Sequence, residues 1–294
     1  MEIISVTTQK LDRHTGNQYL ATKYIRNEFK TIIELTDQDQ THKKLLNEMP
    51  ENLCRYNNVY PYKKNTVSIA TPSKGINASW VHMPTDYRFI MCQAPLDECI
   101  DDFWQMCFQY NINIIVMLCN EMEEGKTKSS TYWKLQKSSS FEIIDIKQMH
   151  QSEIMTIKTI EIKKLTDNTI KNVYHLQFKK WPDHMAPDIQ NVVHIFEKIF
   201  GLIDEQINKE KNVQKNPIVI HCSAGVGRSG VFLTLYLLYK EIMESINENK
   251  ELISFNIFNL VRKLKEMRMF SVENINQYNF IYYFIDELLK EKNC

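Results

Sequence analysis

The sequence holds seven cysteines, yet no two of them stand in a Cys-x2-Cys spacing. The odd count and the missing pair argue against both a zinc site and a disulfide framework. Reduced thiols in a cytoplasmic setting are the expectation. An excess of charge is absent too: Lys+Arg and Asp+Glu both number 36. No field of the whole chain would draw it to nucleic acid or to an anionic membrane. No apolar run approaches 18 residues, and Met1-Glu2-Ile3-Ile4-Ser5 lacks a charged segment leading into an apolar one. Neither a membrane-spanning helix nor a signal peptide is predicted. Glycine is scarce, at seven in 294 residues, and three of the seven fall in one short stretch.

That stretch runs Ile218-Val219-Ile220-His221-Cys222-Ser223-Ala224-Gly225-Val226-Gly227-Arg228-Ser229-Gly230. The β-branched run at its start reads as a buried strand. Val231 to Leu238, after its end, reads as the opening of a buried helix. A strand, a glycine-rich loop and a helix N-terminus form an anion site, because converging N–H groups and the helix dipole favour negative charge. No Gly-Lys-Ser/Thr follows the glycines, so the loop is not a Walker A loop. With Cys222 at its start and Arg228 six positions on, a loop curled around an anion would set a thiolate beneath it. Arg228 could then grip two of its oxygens as a planar fork.

The pattern His-Cys-x5-Arg-Ser/Thr resembles the signature loop of the cysteine-dependent protein tyrosine phosphatases, and every fixed position of its long form is filled here. The resemblance implies that Cys222 attacks phosphorus and that the amides of Ser223, Ala224, Gly225, Val226, Gly227 and Arg228 bind the phosphoryl oxygens. It implies that Ser229 donates to the Cys222 sulfur, and that His221 orients the loop and helps keep the thiolate ionised. Trp181-Pro182-Asp183 resembles the family's mobile acid loop, about forty residues before the signature. It implies that Asp183 protonates the leaving phenolate and later takes a proton from water. Arg55-Tyr56-Asn57-Asn58-Val59-Tyr60-Pro61 resembles the segment whose tyrosine, here Tyr56, forms the pocket wall. A tall wall admits phosphotyrosine and leaves phosphoserine short of Cys222. Glu123 and Lys128 fall where the family pairs a glutamate with the signature arginine and sets a lysine near the acid loop. Gln277 fills the second position of the family's glutamine loop.

Five positions depart from the pattern, the smallest departure being Ala94 for the glycine of a Gln-Gly-Pro segment. Asn58 replaces an aspartate that holds the substrate backbone, which predicts weaker peptide binding. Met185 replaces an acid-loop glycine, and its Cβ predicts an altered balance between open and closed loop. Glu273 replaces the first glutamine, which positions the attacking water, and predicts a slow second step. Phe270 stands at the pocket rim, where many members have glycine, and predicts narrowed access.

Elsewhere the patterning places a helix on Tyr19-Leu20, Tyr24, Phe29 and Ile32-Ile33, and a short helix over His42 to Met49. Asp101-Asp102 reads as a helix start and Ile114 to Leu118 as a buried strand. Residues 141–178 read as antiparallel strands with a turn at Thr166-Asp167-Asn168. Asn191 to Ile207 reads as an amphipathic helix, Lys209 to Asn216 as a surface loop, and Ser254 as the N-cap of a helix through Ile257, Val261 and Leu264.

The fold expected from the resemblance is α/β: a twisted mixed sheet flanked by helices on both sides. It forms a single catalytic domain over 1–294, with residues 1–50 as a helical flank and 51–289 as the core. Phosphotyrosine-containing proteins are the implied partners of a monomer, with no nucleic acid, membrane, metal or cofactor involved. Richness in Lys, Asn and Ile, with little beyond the catalytic segment, also looks like the compact phosphatases of parasitoid-wasp viruses, which act in host-cell cytoplasm. Two rival readings stay open: a phosphotyrosine-binding pseudophosphatase, and a dual-specificity or phosphoinositide phosphatase.

Overall fold

The structure is a computed structural model. It describes residues 9–12, 22–37, 46–47, 49–70, 75–134, 136–187, 189–209, 216–250 and 252–292. In chain order the elements are β1 (Gln9–Asp12), α1 (Thr22–Asp37), β2 (Ala78–Val81), β3 (Phe89–Cys92), α2 (Ile100–Gln109) and β4 (Ile114–Met117). Then come β5 (Met122–Glu123), β6 (Lys126–Thr127), β7 (Phe141–Gln151), β8 (Met155–Lys164), β9 (Ile170–Phe178) and α3 (Val192–Lys209). The chain continues through β10 (Ile218–His221), α4 (Gly227–Asn247), β11 (Leu252–Phe255), α5 (Ile257–Met267) and α6 (Ile275–Glu291).

Seven strands form one mixed sheet in the order β2-β3-β10-β4-β9-β8-β7. Strands β3, β10, β4 and β9 run parallel, and antiparallel partners close both edges. Parallel strands are buried on both faces, so β4 can be apolar throughout and β10 apolar up to His221. Alternation decides which face each residue serves. Ile218 and Ile220 of β10 enter the core shared with α1, α3, α4, α5 and α6, while Val219 enters the opposite core with α2, Tyr132 and Trp133. Strand β10 therefore lies mid-sheet, fixed by both neighbours: His221 is in register with Cys92 of β3 and Met117 of β4. The loop after His221 inherits that rigidity.

Three readings need correction. Leu46 bridges Tyr62 and the Asn47 amide donates to Pro61, so the described end of the expected His42–Met49 helix is extended instead. Ser254 lies inside β11, and the cap of α5 is Asn256, whose side chain accepts from the Asn259 amide. The flank is not wholly helical, because Gln9–Asp12 pairs antiparallel with β11. Tyr19-Leu20, the segment His42 to Leu45, and most of the loop after Lys209 lie outside the described residues.

Candidate active site

Between β10 and α4 the chain curls through Ser223, Ala224, Gly225 and Val226 before the helix starts at Gly227. Gly225 has φ +69, and a Cβ there would lie 1.8 Å from the Cys92 carbonyl oxygen, so only glycine fits. Helix α4 has no side-chain cap at Val226. The amides of Ser223 to Arg228 donate to no acceptor among the described residues. Such orphan donors at a helix start converge on an anion position. Cys222 lies under this cradle, 4% exposed.

The cradle is braced from behind. Arg268, fully buried, donates to the carbonyls of Ala224 (3.0 Å) and Gly225 (3.2 Å) and to Asn77 Oδ1 (2.8 Å). Burial lowers its pKa to about 10, partly offset by nearby thiol and phenol groups. Turning those carbonyls toward Arg268 leaves the amide side of the loop facing the anion.

Arg228 is 1% exposed. Its Nη1 donates to Glu123 Oε1 (2.8 Å) and to the Trp181 carbonyl (2.9 Å), and its Nη2 lies 3.1 Å from Asp183 Oδ1. Burial opposes its charge, but Cys222 and Glu123 outweigh that and push its pKa up. Lys128 Nζ is 2.6 Å from Asp183 Oδ2. Burial would raise the Asp183 pKa, yet Arg228 and Lys128 together hold it below the usual carboxylate range. The acid loop is anchored by Trp181, 2% exposed among Phe178, Phe196 and Phe280. The Trp181 indole donates to the Met185 carbonyl (2.9 Å), tying the loop's two ends. Met185 itself is 51% exposed, and the positive φ of this loop falls on His184 (φ +57). The Met185 side chain is half covered, with its Sδ 4.0 Å from Asn276 Nδ2.

Tyr56 is placed by its neighbours. Arg55 donates to the carbonyls of Ala94 and Pro95, and the Ala94 amide donates to Ser223. The Tyr56 hydroxyl then sits 2.9 Å from Ser223 Oγ, which donates onward to the Lys128 carbonyl. Asn58 is exposed, and so is Phe270 at φ +58.

Beneath Cys222 lies a buried polar chain that the motifs did not signal. His221 Nδ1 lies 3.0 Å from the Cys222 carbonyl, Tyr132 Oη 2.6 Å from His221 Nε2, and His175 Nε2 3.0 Å from Tyr132 Oη. Burial lowers the His221 pKa to about 4 and holds His175 well below the usual imidazole range. Both rings are neutral at pH 7, and a consistent assignment runs His175 N–H to Tyr132, Tyr132 O–H to His221, and His221 N–H to the carbonyl. A neutral His221 orients the loop but brings no positive charge to the thiolate.

At the start of α6, Gln277 is 1% exposed and its Oε1 accepts from the Glu273 amide (2.8 Å). Its Nε2 lies on the Gly227 side, 2.8 Å from where a Cβ on that glycine would be. Glu273 Oε2 is 3.0 Å from His184 Nδ1 of the acid loop. The buried Ser229 hydroxyl has no partner among the described residues, so the expected bond to the Cys222 sulfur is not made here. The neighbouring thiols are unlike an activated one: burial pushes Cys92 up to about 12 and Cys119 well above its ordinary value.

The structure thus gathers Cys222, Arg228, Asp183, Glu123, Lys128, Trp181, Tyr56, Gln277 and Glu273 around one cradle. The motif reading missed Arg268, Tyr132, His175, His184 and Asn274. For Arg268 the local signal is slight, its place between Met267 and Met269-Phe270, where an arginine that is buried needs a partner.

A thiol under an amide cradle, a forked arginine and an acid loop is the arrangement of the cysteine signature-loop proteins. Residues 50–287 match the family model described as protein-tyrosine phosphatase, and the chain belongs to that family. Tyrosine-protein phosphatase non-receptor type 20 of Mus musculus is 31% identical over 243 residues, covering 80% of this chain and 53% of that protein. Non-receptor type 14 of Homo sapiens is 32% identical over 280 residues, covering 87% of this chain and 23% of that protein. The chain thus spans about half the length, or less, of these curated relatives. The solved catalytic domain of human protein tyrosine phosphatase non-receptor type 18 superposes with a TM-score of 0.75 at 24% identity. That match covers 92% of this chain and 96% of the other, and it establishes the likeness of fold.

Proposed function

We propose that the chain hydrolyses phosphotyrosine on proteins through a cysteinyl-phosphate intermediate. The observation that carries this reading is the ring of unpaired amides from Ser223 to Arg228 around Cys222, with Asp183 held 3.1 Å from Arg228. In the first step the Cys222 sulfur attacks phosphorus, an S–P bond forms and the aryl P–O bond breaks. The cradle amides and Arg228 stabilise the equatorial oxygens by preorganised electrostatics. Asp183 gives its proton to the leaving oxygen. In the second step water attacks phosphorus, the S–P bond breaks and the Asp183 carboxylate takes the water's proton. Gln277, whose Nε2 lies against the cradle, orients that water.

Asp183 is ionised in the free protein, and the proposed acid must be protonated. A phosphoryl dianion in the cradle supplies the change. It takes over Arg228 as its partner and sets negative charge beside the carboxylate, and both effects raise the Asp183 pKa.

Substrate class follows from depth. Tyr56, whose hydroxyl lies 2.9 Å from Ser223 Oγ, would serve as the wall of the cradle, so that an aryl phosphate reaches Cys222 and an alkyl phosphate falls short. The type 18 relative is solved in complex with HER2 phosphopeptides, which is the ligand class proposed here. Residues 51–289 act as one catalytic domain flanked by 1–50. A cytoplasmic setting is supported by an uncapped thiol chemistry that needs reducing conditions, and among the described residues no helix is long and apolar enough to cross a membrane. A monomer is supported by the exposed large apolar residues being spread over several elements among the described residues, with only Ile144 and Met149 sharing a strand.

The test is turnover of matched phosphotyrosine and phosphoserine peptides by the protein and by Cys222→Ser. Phosphate release from the tyrosine peptide alone, absent in the variant, supports the reading. Tight binding of the tyrosine peptide without turnover would move it to the pseudophosphatase class.

A further inference from the structure

The acid loop and the entry to α6 are joined by contacts that the hydrolytic scheme does not require. His184 Nδ1 and Glu273 Oε2 are 3.0 Å apart. The Asn274 Nδ2 donates to the His184 carbonyl at 2.9 Å. Asn274 is also the N-cap of α6, because its Oδ1 accepts from the Gln277 amide at 3.1 Å. One side chain therefore fixes the start of the helix that carries Gln277 and holds the loop that carries Asp183. His184 is a non-glycine residue at φ +57, a conformation that persists only when its surroundings hold it. Here both its ring and its carbonyl are held from the same side.

Glu273 occupies the position where the family resemblance calls for a water-positioning glutamine. Its carboxylate is engaged by His184 while lying against the cradle, with Oε2 3.0 Å from where a Cβ on Gly227 would be, and its amide is engaged by Gln277 Oε1. We propose that Glu273 and Asn274 are positioning residues for the general acid: through His184 they clasp the acid loop over the cradle and present Asp183 to the leaving oxygen. The proposal rests on the hydrolytic reading above. It turns the glutamate from a defect in the second step into an aid to the first.

Leaving-group dependence tests this. A low-pKa phenol leaves without a proton, whereas phenol itself needs one, so a misplaced acid slows phenyl phosphate and spares an activated nitrophenyl ester. The rates of the first step would be measured across a series of aryl phosphates for the full chain, Asp183→Asn, His184→Ala, Glu273→Ala, Asn274→Ala and Glu273→Gln. General acids contribute about 10²–10⁴-fold, so a loosened clasp should cost about tenfold on phenyl phosphate and under about twofold on the nitrophenyl ester. Both Glu273→Ala and His184→Ala should steepen the slope toward that of Asp183→Asn. The double variant should be no worse than either single, since both break one contact. Glu273→Gln keeps an acceptor for the His184 N–H and should restore most of the shallow slope, which a merely structural role would not predict. All these side chains are at least partly exposed, and an unchanged unfolding midpoint would show that the variants remain folded. Clasp variants that keep the native slope, with losses uniform across the series or additive in the double variant, would overturn the clasp while leaving the hydrolytic reading intact. A native chain inert toward every aryl phosphate would overturn both.

Discussion

Arg228 Nη2 and Asp183 Oδ1 lie 3.1 Å apart, and Lys128 Nζ lies 2.6 Å from the other Asp183 oxygen. The acid loop rests on the cation that would bind phosphate. The same two cations hold Asp183 ionised, so proton donation depends on substrate arriving to displace that arrangement.

Lys128→Met should move the pH dependence in a defined direction. Lys128 favours the ionised carboxylate, so its loss raises the Asp183 pKa. The alkaline limb of kcat/KM should shift to higher pH, and Asp183→Asn should abolish that limb with a loss of about 10²–10⁴ in rate. The ion pair also carries a stability signature. A depressed carboxylate pKa contributes stability above the unfolded value of about 4, which is lost as pH falls through the folded one. The native chain should outlast Lys128→Met in urea at pH 7, and the gap should close in acid.

Tyr132→Phe should cost about 1–3 kcal/mol, because it leaves ring nitrogens of His175 and His221 buried without their partner. Urea unfolding at pH 7 measures this directly. With its pKa lowered to about 4, His221 should stay neutral in imidazole NMR titrations from pH 5 to 8.

Arg268→Met should leave the Ala224 and Gly225 carbonyls without donors and let the cradle relax. A loss of about 2–4 kcal/mol in stability is expected, together with weaker inhibition by an oxyanion such as vanadate. Full vanadate affinity in a folded Arg268→Met protein would show that the brace does not shape the cradle.

The legible parts of the molecule were those written in consecutive residues. Cys222 and Arg228 share one loop, Asp183 follows Trp181-Pro182, and the β-branched runs of β4 and β10 announce buried strands. What was illegible depends on contacts between distant segments. Tyr132, His175 and His221 come from three places in the sequence and meet only because β9, β4 and β10 are adjacent in the sheet. The role of Glu273 likewise cannot be seen without the acid loop laid against it. At Met185 a missing glycine suggested an altered balance between open and closed loop, but the chain places its positive φ one residue earlier, on His184. Near Ser254 two polar residues two positions apart could each cap a helix, and β11 claimed the first, leaving Asn256 as the cap.

The most direct test of the account is to trap the intermediate. The native chain would be mixed rapidly with a phosphotyrosine peptide, quenched in acid within the first turnover and digested, and the phosphoryl group mapped. The account predicts phosphate on Cys222, forming as tyrosine is released and decaying as free phosphate appears, with no label in Cys222→Ser. Free phosphate released without any label on Cys222, or undiminished in Cys222→Ser, would contradict it.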